Sequence, residues 1–96
     1  MKSVDSLAEL KKLGENDKKV KYNGVVFSRH KNPDGSLGGF VAATANVEKS
    51  CYIGINALVF ENAQVSENAQ IYENAQICGN AHISGKARIS ENAQIS

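Results

Sequence analysis

Only two cysteines, Cys51 and Cys78, occur in the 96 residues, too few for a disulfide scaffold or a zinc cluster. No run of about 18 apolar residues is present, which excludes a helical membrane span. The opening Met1-Lys2-Ser3-Val4-Asp5 turns polar at once and has no apolar segment behind it. No secretory signal is therefore expected, and a cytoplasmic location fits. Strong charge of either sign is missing as well. The formal net charge is +1, with eight Lys/Arg against five Asp/Glu in residues 1–40 and three against five in 41–96. Neither part has the basic stripe of a nucleic-acid binder or the dense acid of a DNA mimic. Lys18-Lys19-Val20-Lys21 reads as a solvated surface rather than a phosphate site.

What remains is one small folding unit with 42% hydrophobic residues, soluble by composition but short for a generous globular core. Its dominant feature is a period. From Val41 every sixth residue is Val or Ile: Val41, Val47, Ile53, Val59, Val65, Ile71, Ile77, Ile83, Ile89 and Ile95. Four residues after each but the last stands a small one, Ala or (at Cys51) Cys, and Asn precedes it in six of nine cases. A period of six is neither helical nor a plain strand alternation. It suits a short strand and a corner, repeated, with one large and one small side chain aimed at a common axis. The β-branched residue fills the interior and stiffens the strand. Asn suits a corner of positive φ, which it tolerates better than other residues with a Cβ.

The Ile-x-x-Asn-Ala-x phrase over 41–96 resembles the hexapeptide repeat of left-handed parallel β-helices, in which three hexapeptides make one triangular coil. The run Gly35-Ser36-Leu37-Gly38-Gly39-Phe40-Val41 resembles the lead-in segment of bacterial and phage proteins described as acyltransferase-like. The resemblance implies an all-β solenoid, a left-handed parallel β-helix of about three coils, each of three hexapeptides. Its interior columns are then Val41/Val59/Ile77/Ile95, Val47/Val65/Ile83 and Ile53/Ile71/Ile89. Each coil buries three large aliphatics at about 2 kcal/mol apiece, against roughly 1–2 kcal/mol of ordering per residue. A lone coil cannot stand, so the stack needs covered ends.

Residues 1–40 read as an N-terminal cap and 41–96 as the β-helix. "SVDSLAELKKLGEND" predicts a short amphipathic helix capped by Asp5 or Ser3, with Leu7, Leu10 and Leu13 on one side and Gly14 after its end. Tyr22-Asn23-Gly24 predicts a hairpin turn, and Asn32-Pro33-Asp34-Gly35 another turn. Tyr52, Ile55, Leu58 and Phe60 put apolar side chains at outward positions of the first coil only, where the cap is expected to cover them.

Hexapeptide-repeat transferases are similar to one another in being trimers with a histidine general base between neighbouring prisms. Here His82 and His30 are the only histidines. His82 is the weak catalytic candidate, outward-facing and stacked near Asn46 and Gln64. His30 lies among basic residues. No acid is placed to orient His82, and the basic surroundings make His30 a poor general base. Cys51 takes the small inward slot, Cys78 an outer one, and the four Cys and His positions do not converge on a metal. No cofactor and no metal are expected.

The far end, taken as the natural one, would leave strand edges and an apolar cross-section open. Self-association through a two-fold axis is the economical cover, using Ile77, Ile83, Ala87, Ile89, Ala93 and Ile95, with a homodimer favoured. The expected function is a non-enzymatic module that binds and inhibits a protein target. Small phage proteins that block a host defence enzyme, such as anti-CRISPR inhibitors, supply the analogy. The expected partner-binding residues are Lys18, Lys19, Lys21, Arg29, Lys31, Tyr72 and Arg88. An acyltransferase and a structural fibre element are the alternatives.

Overall fold

The computed structural model describes residues 2–14 and 16–96. From Asn46 onward short strands follow one another with the period of the sequence repeat. These are β5 (Asn46–Val47), β6 (Tyr52–Ile53), β7 (Leu58–Val59), β8 (Gln64–Val65), β9 (Gln70–Ile71), β10 (Gln76–Ile77), β11 (His82–Ile83), β12 (Arg88–Ile89) and β13 (Gln94–Ile95). Each pairs in parallel with the third strand before or after it, as in Asn46↔Gln64↔His82 and Tyr52↔Gln70↔Arg88. The chain therefore winds as a parallel β-solenoid with three flat faces. One face orders β11-β8-β5, the second β12-β9-β6, and the third carries β7-β10-β13. Ladder bonds run from one rung to the next, as from Asn46 N–H to Ala63 O at 2.9 Å and Glu48 N–H to Val65 O at 2.9 Å.

The repeat forms the interior. Ile53, Val59, Val65, Ile71 and Ile77 are fully buried, and so are the small residues Cys51, Ala57, Ala63, Ala69 and Ala75 between them. A large and a small side chain per strand fill the triangular section.

The corner differs from expectation in one respect. Positive φ falls one place before the Asn position (occupied by Lys86 in one turn) and not on Asn itself: Glu61 (60°), Glu67 (61°), Glu73 (56°), Gly79 (63°), Gly85 (67°) and Glu91 (60°). In each of these turns the residue at positive φ is the second of four, and an N–H such as that of Ala63 returns to the first carbonyl, Phe60 O, at 3.4 Å. Four of the six positions carry a Cβ in the left-handed region, at a cost of order 1–3 kcal/mol each. Hydroxyls from the preceding rung offset part of that cost. Thr44 Oγ1 donates to Glu61 O at 2.6 Å, and Ser50 Oγ donates to Glu67 O.

The chain up to Ala42 builds the cover. β1 (Lys2–Val4) lies parallel to β2 (Lys19–Tyr22), which forms a hairpin with β3 (Val25–Lys31), and β3 pairs antiparallel with β4 (Leu37–Ala42). β4 then pairs in parallel with β7, so this sheet runs on unbroken into one face of the solenoid. Asn23 and Gly24 have φ of 52° and 78°, the two positive values a two-residue hairpin turn needs. Gly39 permits the crossing of β4 over the first corner, since a Cβ there would stand 2.0 Å from Ala57 O.

The helix, α1 (Leu7–Lys12), is shorter than its sequence suggests. Ser6 caps it, its Oγ accepting from Glu9 N–H at 3.2 Å, and Lys2–Val4 has left for the sheet. Leu13 ends it in an extended conformation (ψ 143°), so Gly14 supplies no left-handed stop. Leu10 is wholly buried against Val4, Val20, Phe27, Phe40, Ala42 and Leu58. Of the first coil's outward apolar residues, Leu58 and Phe60 join this cluster. Tyr52 and Ile55 do not: Tyr52 stacks on Tyr72, and Ile55 remains 40% exposed. No helix among the described residues is long and apolar enough to cross a membrane.

Candidate functional site

The N-terminal mouth of the solenoid is closed by side chains that imitate a strand. Asn32 Oδ1 accepts from Ile53 N–H at 2.8 Å, and its Nδ2 donates to Ile53 O at 3.1 Å and to Ser36 Oγ at 3.1 Å. His30 Nε2 meets Cys51 O at 2.8 Å. These bonds satisfy the outward groups of β6, and Asn32 is the sole buried polar side chain among the described residues, 3% exposed. Arg29 binds the cap together from the other side of the sheet. Its guanidinium lies 4.1 Å from the Phe40 ring centroid and donates to Leu13 O (2.8 Å), Gly14 O (3.0 Å), Ile55 O (3.1 Å) and Gly38 O (3.3 Å). Arg29 thus ties the end of α1 to the first corner of the solenoid. Lys18, Lys19, Lys21 and Lys31 are exposed.

On the β12-β9-β6 face the structure brings together Tyr52, Gln70, Tyr72 and Arg88. The two tyrosine rings lie 5.3 Å apart at 40°. Gln70 Oε1 accepts from both the Tyr72 hydroxyl and Arg88 Nε, the latter at 3.2 Å. Tyr72 and Arg88, two of the expected partner-binding residues, are thereby held as a pre-ordered patch. Tyr and Arg are enriched among residues that dominate interface energies.

At the far end, β11, β12 and β13 each terminate their sheet. Ile83 is 8% exposed, Ile89, Ile95, Ala87 and Ala93 are half-buried, and together they form the end face. Ile77 does not belong to it. Its register partner Ile95 covers it completely. Lys86, Arg88 and Glu91 stand exposed on the rim.

His82 is exposed and in register with Gln64, which is in turn in register with Asn46, so the stacked column offers it no carboxylate. Among the described residues no group of three or more His, Cys, Asp or Glu side chains could hold a metal. Burial pushes the Cys51 thiol above its ordinary pKa, and burial with the nearby Glu61 carboxylate does the same to Cys78, so neither is poised as a thiolate nucleophile. A cleft of about 220 Å³ opens between Leu7, Tyr22, Phe27 and Phe60, with Glu61 at its edge. Among the described residues the other polar side chains in its lining are Asn23 and Thr44.

Asn32 and His30 were not singled out as capping residues by the sequence, because a bond to a strand so distant along the chain leaves no local signal. The Asn32-Pro33 turn alone marked the place. Comparison with protein-family models, with curated proteins and with solved structures finds no match to this chain.

Proposed function

We propose that this chain is a non-enzymatic interaction module that closes on a second copy of itself through the Ile83–Ile89–Ile95 end and offers its remaining surface to a protein target. The observation that carries this reading is the contrast between its two ends. One is covered on two of its three faces, by α1 and the hairpin and by the Asn32 and His30 bonds. The other presents three strands that, among the described residues, have ladder partners on one side only, beside half-buried Ile89 and Ile95. A strand edge in that condition is a template for pairing. A two-fold axis would set each end face against its own copy. Two of the three faces at the N-terminal end are covered, which obstructs head-to-tail stacking, so association closes as a dimer instead of growing into a fibre. The Tyr52–Tyr72–Arg88 patch and the exposed lysines are the surface left for the target. By analogy with small phage inhibitors that target is a host enzyme, and binding blocks it.

Light scattering after size exclusion, over a hundredfold range of concentration, tests the association. The expected mass is twice 10.3 kDa for the wild type and a single chain for Ile89→Lys, with unchanged far-ultraviolet dichroism. A wild type that stays monomeric, or a trimer indifferent to Ile89→Lys, overturns the proposal.

A further inference from the structure

The N-terminal mouth has three sides, and they are finished differently. On one face β4 continues into β3. On the second, Cys51 O, Ile53 N–H and Ile53 O are all taken by His30 and Asn32. The third face begins at β5, the last strand of its sheet. Asn46 and Glu48 direct their N–H groups to the next rung, at Ala63 O and Val65 O. Strand alternation then turns Ala45 O, Val47 N–H and Val47 O toward the mouth. These correspond one for one to the three groups capped on the neighbouring face, one repeat further along. Among the described residues none of the three has a partner.

Beside this edge lie two adjoining clefts of about 320 and 400 Å³, which share His30, Lys31 and Val47 in their linings. Lys49 lines the second cleft, and Lys19 stands directly across from Ser28, which lines the first. Among the described residues no carboxylate lines either one. The adjacent acid, Glu48, is turned away, its Oε1 accepting from Glu67 N–H at 3.0 Å.

We infer that the β5 edge is a docking site for an extended, acidic peptide segment of a protein partner. The segment adds as a strand to Ala45–Val47, and its carboxylates meet Lys31 and Lys49. Main-chain bonds to an exposed edge supply the affinity in such an addition, and the flanking side chains supply the selection. This gives the interaction-module reading a partner chemistry. It uses the end opposite to the self-association face, so the two stand or fall separately.

The test uses a blocked, fluorescein-labelled pentapeptide, Glu-Val-Glu-Val-Glu, and its Lys-Val-Lys-Val-Lys counterpart. Fluorescence anisotropy and amide exchange are followed on wild type and on Ile89→Lys. The acidic peptide is expected to bind both proteins at least about tenfold more tightly than the basic one and to slow exchange of the Val47 amide. Lys31→Glu with Lys49→Glu should lose that preference by about tenfold or more. Val47→Pro, which deletes an edge donor that no internal ladder uses, should abolish binding to a chain whose far-ultraviolet dichroism is unchanged. Equal binding of the two peptides, a Val47 amide unmoved by the acidic one, or a Val47 amide already protected by a second copy overturns the inference. Loss of dimerisation in Ile89→Lys with peptide binding intact leaves it standing.

Discussion

Replacing Asn32 by Ala removes one side chain and uncaps β6, a strand well separated from it along the chain. The amide is 3% exposed and makes two bonds to Ile53 and one to Ser36. Each bond contributes about 1 kcal/mol net, and a buried donor left unpaired costs about 1–3 kcal/mol. The loss should therefore total roughly 2–4 kcal/mol, partly relieved where water enters behind the Ala. For a domain of this size such a loss lowers the melting temperature by roughly 10–25 °C. Urea unfolding of wild type and variant, followed by circular dichroism, measures it. Amide exchange supplies the site-specific control, because the Ile53 amide should become as labile as that of Val47, its uncapped counterpart on the next face. A loss below about 1 kcal/mol, with the Ile53 amide still protected, would refute the capping role of Asn32.

Glu73→Gly should stabilise the fold by about 0.5–1 kcal/mol, because Glu73 holds φ at 56° without a side-chain bond of its own. Glu61→Gly should gain less, since Glu61 Oε1 accepts from Gly79 N–H at 2.9 Å; parallel urea titrations compare them. The Asp34 carboxylate accepts from the Ser36 hydroxyl at 2.6 Å and the Ser36 N–H at 2.9 Å, which holds its pKa below the ordinary 3.8. Its contribution is present above pH 3.8 and fades as pH falls through the lower folded value. Ser36→Ala should therefore narrow the stability gap between pH 5 and pH 3, read by thermal melts. Cys51→Ala should cost no more than about 1 kcal/mol in a urea titration, since Ala fills the same slot on the neighbouring rungs. In the wild type a thiol reagent should reach half-buried Cys78 about tenfold faster than Cys51, by mass spectrometry.

The solenoid was legible because its determinant is periodic. A β-branched residue at every sixth position names the interior, and the buried column from Ile53 to Ile77 follows it residue by residue. The Asn23-Gly24 hairpin was legible for a related reason, since its turn is encoded in two adjacent residues. What escaped depends on contacts between distant segments. Lys2–Val4 became a strand because β2 offered an edge, which drew it away from the helix and passed the cap to Ser6. Asn looked like the corner residue because it tolerates positive φ, yet the turn closes with the left-handed residue one place earlier, on Glu or Gly. Arg29 read as a partner-binding candidate, and only the approach of Leu13, Gly14, Gly38 and Ile55 showed the internal acceptors of its guanidinium. Ile77 read as part of an exposed end, although its own register places Ile95 over it.

The constant spacing between paired strands also shapes how this chain acquires its structure. From β7 onward every new strand closes a loop of the same length onto a strand already in place, so the entropic cost per step is uniform. The template arises first at the cap, where the segments that must meet leave the ribosome earliest. Folding should then proceed from the cap outward, each rung docking on the one before it. Damage at Asn32 should slow the start of that process, whereas damage at Ile89 should leave the start untouched and mainly hasten peeling from the far end.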